Sequence, residues 1–226
     1  MHKLIGIIFL GLLNMNVFAQ DANLRDPCIF PQRVTMKNAN LLQDILKDEN
    51  VSLKIKACTL DWVRELYELE EDKAKPHAQE FYGIASNFLD NYKNDGAFTM
   101  NEEIRSSSCY LMAALENTGQ KTVAIQKIKK AINEDRSYQV VQNCINAIGN
   151  LKGSKTEALS ILTEIVEKKL LKEDINSEDI KMMSQLVTMV GRLEHKGGYI
   201  ALMKVMQSGY PKEVKDATRR AILKMR

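Results

Sequence analysis

The feature that most constrains this 226-residue chain is a helical apolar stripe that recurs from residue 38 to the C-terminus. Leu41, Leu42, Ile45 and Leu46 fall at i, i+1, i+4 and i+5, one side of a 3.6-residue period. Comparable stripes run through 53–69, 77–94, 102–117, 121–133, 137–151, 155–171, 178–193, 197–208 and 212–225. No window alternates with the period of two that marks a half-buried strand, and 4 prolines and 11 glycines are too few for the turns of a sandwich or barrel. The interruptions are short: Asp95-Gly96, Thr118-Gly119, Lys152-Gly153, Lys196-Gly197-Gly198 and Gly209-Tyr210-Pro211. Glycine just past a helix end reads as a left-handed cap, and Pro211 reads as a helix start. Short connections make successive helices antiparallel, so the chain beyond residue 38 is predicted to be all-α.

The stripes also resemble one another. Segments 108–119, 142–153, 183–194 and 215–226 superpose when Leu115, Ile148, Val190 and Ile222 are aligned, with steps of 33, 42 and 32 residues. The long step contains the polar insert Lys172–Glu178. Two helices per unit and a period in the thirties to forties mark a helical solenoid, in which each pair buries its apolar face against the next.

The second helix of each unit resembles the HEAT repeat. Val141-Gln142, Cys144-Ile145 and Ala147-Ile148-Gly149 follow its order, as do Val214-Lys215, Ala217-Thr218 and Ala221-Ile222. First helices match through Ala124-Ile125 with Ile128, Ala158-Leu159 with Ile161-Leu162, and Ile200-Ala201-Leu202-Met203. The resemblance covers 104–226 well and 38–103 loosely. It implies a right-handed α-solenoid of about five stacked antiparallel helix pairs, 38–69, 77–117, 121–151, 155–193 and 197–225. The arginine that pairs with a neighbouring aspartate in that family is replaced by Gln142 and Lys215, which argues against its polar ladder here. Methionines at helical spacing, among them Met182, Met183, Met189, Met203 and Met206, read as filling of an irregular core.

Residues 1–19 read as a cleaved export signal. Lys3 precedes an apolar run from Leu4 to Leu13, and Val17 and Ala19 are the small residues a signal peptidase selects. The run is shorter than the roughly 20 residues a membrane-spanning helix requires. The expected mature protein is therefore periplasmic or secreted, with an irregular segment 20–37 ahead of the helical domain 38–226. In an oxidising compartment Cys28, Cys58, Cys109 and Cys144 can form two disulfides in three connectivities. Cys28–Cys58 would pin the N-terminal stretch, and Cys109–Cys144 would join neighbouring helices.

Little in the sequence carries chemistry. His77 and His195 stand outside any metal-ligand spacing, and HExxH, GxSxG, P-loop and GxGxxG patterns are absent. His195 lies at a helix end, where an imidazole suits the last carbonyls. No metal, cofactor or nucleic-acid partner is expected: aromatics are 6%, and acids and bases nearly balance. The charge is uneven, however. Asp61–Asp72 holds six acids against Arg64 alone, while Lys212–Arg226 holds six bases against two acids. Glu70-Glu71 and Glu102-Glu103 read as charged helical surface, and Asn50-Val51-Ser52 fits the glycosylation sequon.

Two functional classes follow. The first is a non-catalytic module that binds an unidentified protein or peptide, or a scaffold of that kind. Its surface would be the second-helix face: Gln142, Asn143 and Asn146, then Gln185 and Thr188, then Lys215, Arg219 and Arg220, with Val141, Cys144, Ile145 and Ile148 turned inward. The second is an enzyme, because some HEAT-like proteins are lyases that attach bilins to cysteine or glycosylases that act on DNA. Export and the shortage of acid–base candidates favour the first.

Overall fold

The structure is a computed structural model that describes Cys28, residues 34–91 and residues 98–225. The expected export signal, nearly all of segment 20–33 and the Asp95-Gly96 break lie outside the described residues. The chain divides into two units, 1–34 and 35–226, and the second holds every helix discussed below.

Unit 35–226 is all-helical among the described residues. Its α-helices are α1 (Ala39–Lys47), α2 (Leu53–Leu69), α3 (Glu71–Ala74), α4 (Ala78–Asn91), α5 (Phe98–Ala114), α6 (Lys121–Glu134), α7 (Tyr138–Gly149), α8 (Lys155–Leu170), α9 (Ser177–Arg192), α10 (Tyr199–Gln207) and α11 (Lys212–Lys224). Local chemistry sets several starts. Ser52 and Ser137 accept hydrogen bonds from the Ile55 and Val140 N–H groups, which have no partner inside the helix. Asn176 and Asp179 form a reciprocal capping box at the head of α9. Pro211 precedes α11 with φ −68°.

The helix ends differ from the sequence expectation. No described glycine has a positive φ, so the left-handed glycine cap is not used; the one positive-φ residue among those described is Glu194, at 51°. Final turns tighten into i→i+3 bonds instead, as at Leu115–Asn117 and in the Asn150 N–H to Ala147 carbonyl bond. That geometry satisfies the terminal carbonyls without left-handed backbone.

Each helix also packs beyond its sequence neighbour. The series α2, α5, α7, α9, α11 runs in successive contact, while α4–α5, α6–α7, α8–α9 and α10–α11 pack as consecutive pairs. Apolar stripes from both sets fill the core: Ile104, Leu111 and Met112 of α5, Cys144, Ile145 and Ile148 of α7, and Met183, Leu186 and Val190 of α9 are all buried. Two glycines set the spacing. A Cβ on Gly149 would lie 2.6 Å from Met189 Sδ of α9, and one on Gly191 would lie 2.6 Å from Ala221 Cβ of α11. Cross-helix polar bonds repeat at a similar interval. Lys127 bonds Asp90, Lys129 bonds Glu164 and Lys204 bonds Glu167, with partners 37, 35 and 37 residues apart. Glu116 accepts the N–H groups of Lys152 and Gly153 at 3.0 Å each, tying the end of α5 to the α7–α8 connection.

Candidate functional site

The polar groups concentrate where α2, α5 and α7 meet, and α5 explains why. In Arg105-Ser-Ser-Ser-Cys-Tyr110, positions 105 and 109, and likewise 106 and 110, are one turn apart and share a side of the helix. All four bond to α7 or to the turn before it. The Arg105 guanidinium grips Asp135 with two bonds, Nε to Oδ2 at 2.8 Å and Nη2 to Oδ1 at 3.2 Å. The two side chains are 4% and 0% exposed. Cys109 is bonded to Cys144 with Cα atoms 5.1 Å apart. Ser106 Oγ accepts from Asn143 Nδ2 at 2.9 Å, and the Tyr110 hydroxyl donates to Asn143 Oδ1 at 3.2 Å. Ser107 turns the other way and hydrogen-bonds Asp61 of α2. Cys28 and Cys58 are each in a disulfide as well, and no cysteine is free.

Above this floor lies a cleft of about 420 Å³. Asp61 and Arg64 line it from α2, Glu102 and Glu103 from α5, and Gln139 and Asn143 from α7. The Ser137 hydroxyl holds Glu102 Oε1 at 2.5 Å. The Arg64 guanidinium sits 5.9 Å from the centre of the Tyr110 ring, a cation–π arrangement, and its Nε is buried without a hydrogen-bond partner. Burial pushes the Asp61 carboxyl above its ordinary value, and the charges of Glu103 and Glu65 push the same way. Arg64 and the Ser107 hydroxyl oppose them without prevailing. Three carboxylates thus face one guanidinium in partly desolvated surroundings, which leaves the cleft short of positive charge. A cation, or a group rich in N–H donors, is the complement.

The sequence-derived surface residues fall into three groups. Asn143 lines the cleft, but as a bridge whose amide is used on both sides. Gln142, Asn146 and Gln185 come together one helix further on: Gln185 Nε2 donates to the Gln142 carbonyl at 2.6 Å and to Asn146 Oδ1 at 2.8 Å, and Gln185 Oε1 is buried without a partner. These amides are half-buried between neighbouring helices, not displayed on an open face, because α9 packs directly against α7. Thr188, Arg219 and Arg220 are exposed and Lys215 is half-buried; Thr188 donates to the Ser184 carbonyl and Arg219 to Asp216. Val141 is half-buried, whereas Cys144, Ile145 and Ile148 point into the core as expected.

Gln142 and Lys215 stand where the sequence resemblance places an arginine, while an arginine–aspartate pair is formed elsewhere, by Arg105 and Asp135. His195 also differs from expectation: its Nδ1 accepts from the Gly197 N–H at 3.1 Å, capping the next turn and not the preceding carbonyls. Sequence reading missed Asp61, Arg64, Glu102, Glu103, Ser107 and Tyr110 as one site. The available signal was the polar run 105–108, which falls where α5 must be buried on both flanks. Among the described residues, no helix is long and apolar enough to cross a membrane. No family model matches the chain, and no curated protein matches it.

Proposed function

We propose that this chain is an exported, non-catalytic protein-interaction module, built as a right-handed HEAT-like α-solenoid of about five antiparallel helix pairs, 38–69, 77–117, 121–151, 155–193 and 197–225. Support for the solenoid comes from the successive contacts of α2, α5, α7, α9 and α11 and from ion pairs recurring 35 to 37 residues apart. Two disulfides are compatible with an oxidising compartment outside the cytoplasm.

The observation that carries the binding function is the α2/α5/α7 cleft, where half-buried Asp61 and its neighbours Glu102 and Glu103 are opposed by Arg64 alone. A partner segment presenting a lysine or arginine side chain would relieve that imbalance. Calorimetric titration with hexalysine and hexaglutamate tests it. Hexalysine binds although the whole chain carries a formal charge of +3, and hexaglutamate does not bind at this cleft. Asp61→Asn and Glu103→Gln each weaken hexalysine binding about tenfold, or about 1.4 kcal/mol. Asp61→Asn at the same time raises the unfolding midpoint, because it removes a carboxylate that burial disfavours. Hexalysine affinity unchanged in both variants would sink the reading.

A further inference from the structure

A second cleft, of about 630 Å³, also borders the first turns of α7, through Tyr138, Val141 and Ile145, and has a different character. It sits between the last turns of α6 and α8 and the first turns of α7 and α9. Its floor is apolar: Ile132, Ile145, Ile165 and Met182 are buried there, with half-buried Val141 beside them. The insert that lengthens one repeat step to 42 residues becomes the α8–α9 loop, and Leu171, Lys172 and Asn176 of that loop form one side of the cleft. Leu171 is 83% exposed, more than any other large apolar residue among those described.

The loop is held open by a specific construction. Asp179, 3% exposed, accepts hydrogen bonds from both Lys169 and Lys172, and it closes the capping box with Asn176. The Tyr210 hydroxyl donates to the Lys169 carbonyl at 3.4 Å. A ligand therefore meets a formed cleft and need not order the loop, which removes one cost of binding.

Two further observations define the occupant. Cations flank the apolar floor from two different connections: Arg136, exposed, on the α6–α7 turn, and, at the end of α8 and in its loop, Lys168, shared with Glu164, and Lys172, shared with Asp179. Of the lining carboxylates, Asp135 is fully buried and held by Arg105, Asp179 is held by two lysines, and Glu178 alone stands exposed. Around the end of α8, Lys129, Lys168, Lys169 and Lys172 outnumber Glu164, Glu178 and Asp179, and Arg136 stands on the other connection, so the mouth is net positive beside an apolar floor. In the wall, the Tyr138 hydroxyl is buried with no hydrogen-bond partner, a donor that is costly to leave unused.

We propose that this cleft receives a short extended segment of a partner protein in which apolar side chains are flanked on both sides by carboxylates, with the Tyr138 hydroxyl donating to a main-chain carbonyl of the segment. A fatty acid fits less well, since it carries one anionic end while the cations stand on two sides. The site is separate from the acidic cleft and prefers the opposite charge, so either can fail without the other.

The test is fluorescence anisotropy of the oxidised full chain with a labelled hexapeptide, two leucines flanked on each side by two glutamates. Saturable binding is expected, weakened about tenfold (about 1.4 kcal/mol) by Arg136→Glu and by Leu171→Asp, and about threefold by Tyr138→Phe. Replacing the probe's leucines by serine should abolish binding, and Asp61→Asn in the other cleft should leave it unchanged. Arg136 and Leu171 are exposed, so their variants keep the fold, which circular dichroism confirms in parallel. Absence of saturable binding at millimolar protein would overturn the proposal. So would indifference to Arg136→Glu, or displacement of the peptide by micromolar oleate with the same sensitivity to Arg136→Glu, which would make the cleft a lipid site.

Discussion

The α5–α7 joint and the α9–α11 joint both connect successive helices of one series, yet they are made of different materials. Between α5 and α7 stand a disulfide, a buried bidentate ion pair and an asparagine bonded on both sides. Between α9 and α11 the backbone itself approaches: Gly191 lies against Ala221, and fully buried Thr218 donates its hydroxyl to the Val214 carbonyl of its own helix. The first joint specifies position through directional bonds and the second through shape. The difference follows from what each supports. The α5–α7 joint underlies a cleft in which Asp61 is held against its desolvation, and directional bonds keep Ser106, Ser107 and Tyr110 in place beneath it. The α9–α11 joint contributes no residue to that cleft, and close packing suffices.

The largest effect is expected from breaking the ion pair on one side only. Asp135→Ala removes the carboxylate opposite the buried Arg105 charge and the acceptor of the Ser137 N–H, so it should cost about 3–5 kcal/mol in urea unfolding. Replacing both, Arg105→Met with Asp135→Leu, should recover most of that loss, because an apolar pair carries no desolvation penalty. A double variant as unstable as Asp135→Ala would show that the joint depends on the charges themselves.

Removing the disulfide comes next. Cys109→Ala with Cys144→Ala frees a loop closed across 35 residues, worth about 4 kcal/mol by chain entropy and about 2–4 kcal/mol as such bonds are commonly found. It should also weaken hexalysine binding, since Tyr110 and Asn143 are the adjacent residues. Loss of stability with binding intact would separate the joint from the cleft. At the other joint, Gly191→Val should cost about 1–3 kcal/mol by overpacking against Ala221, and it should leave hexalysine binding unchanged. Equal damage to binding from both joints would dissolve the contrast between them.

How much of this was legible follows the same division. The helices were readable because a 3.6-residue period needs only local sequence, and Gly149 and Gly191 occupy equivalent positions of two of the aligned segments. Arg105, Asp61 and Glu103 were not, because a polar residue on a helix reads the same whether water or another helix lies over it. Asn143 and Gln185 were read as belonging to an open face, but the preceding helix in the series lies against each of them, α5 against Asn143 and α7 against Gln185, and the distance to that helix is not a local property. The run Arg105–Ser108 held a signal that was not used: four polar residues in succession cannot all face solvent on one helix, and all four are buried.

The smallest effect concerns acid stability, and it sharpens the comparison by testing the second region through a charge. Burial disfavours ionised Asp179, but the ammonium groups of Lys172 and Lys169 and the Asn176 N–H outweigh it and lower its carboxyl to about 2, from 3.8. A carboxyl lowered in the folded state stabilises the fold above its unfolded value, and that contribution fades as pH falls from about 5 toward 2. It amounts to at most about 2 kcal/mol. Glu164, lowered by Lys129 and Lys168, acts in the same direction, so the informative quantity is a difference. Urea unfolding of the parent chain and of Asp179→Asn at neutral pH and near pH 3 should show the parent losing more on acidification. The variant should be less stable at neutral pH, and the gap between the two should narrow in acid. A gap of constant width would mean that Asp179 holds the α8–α9 loop through its capping bond to Asn176 alone, with the two lysines contributing nothing measurable.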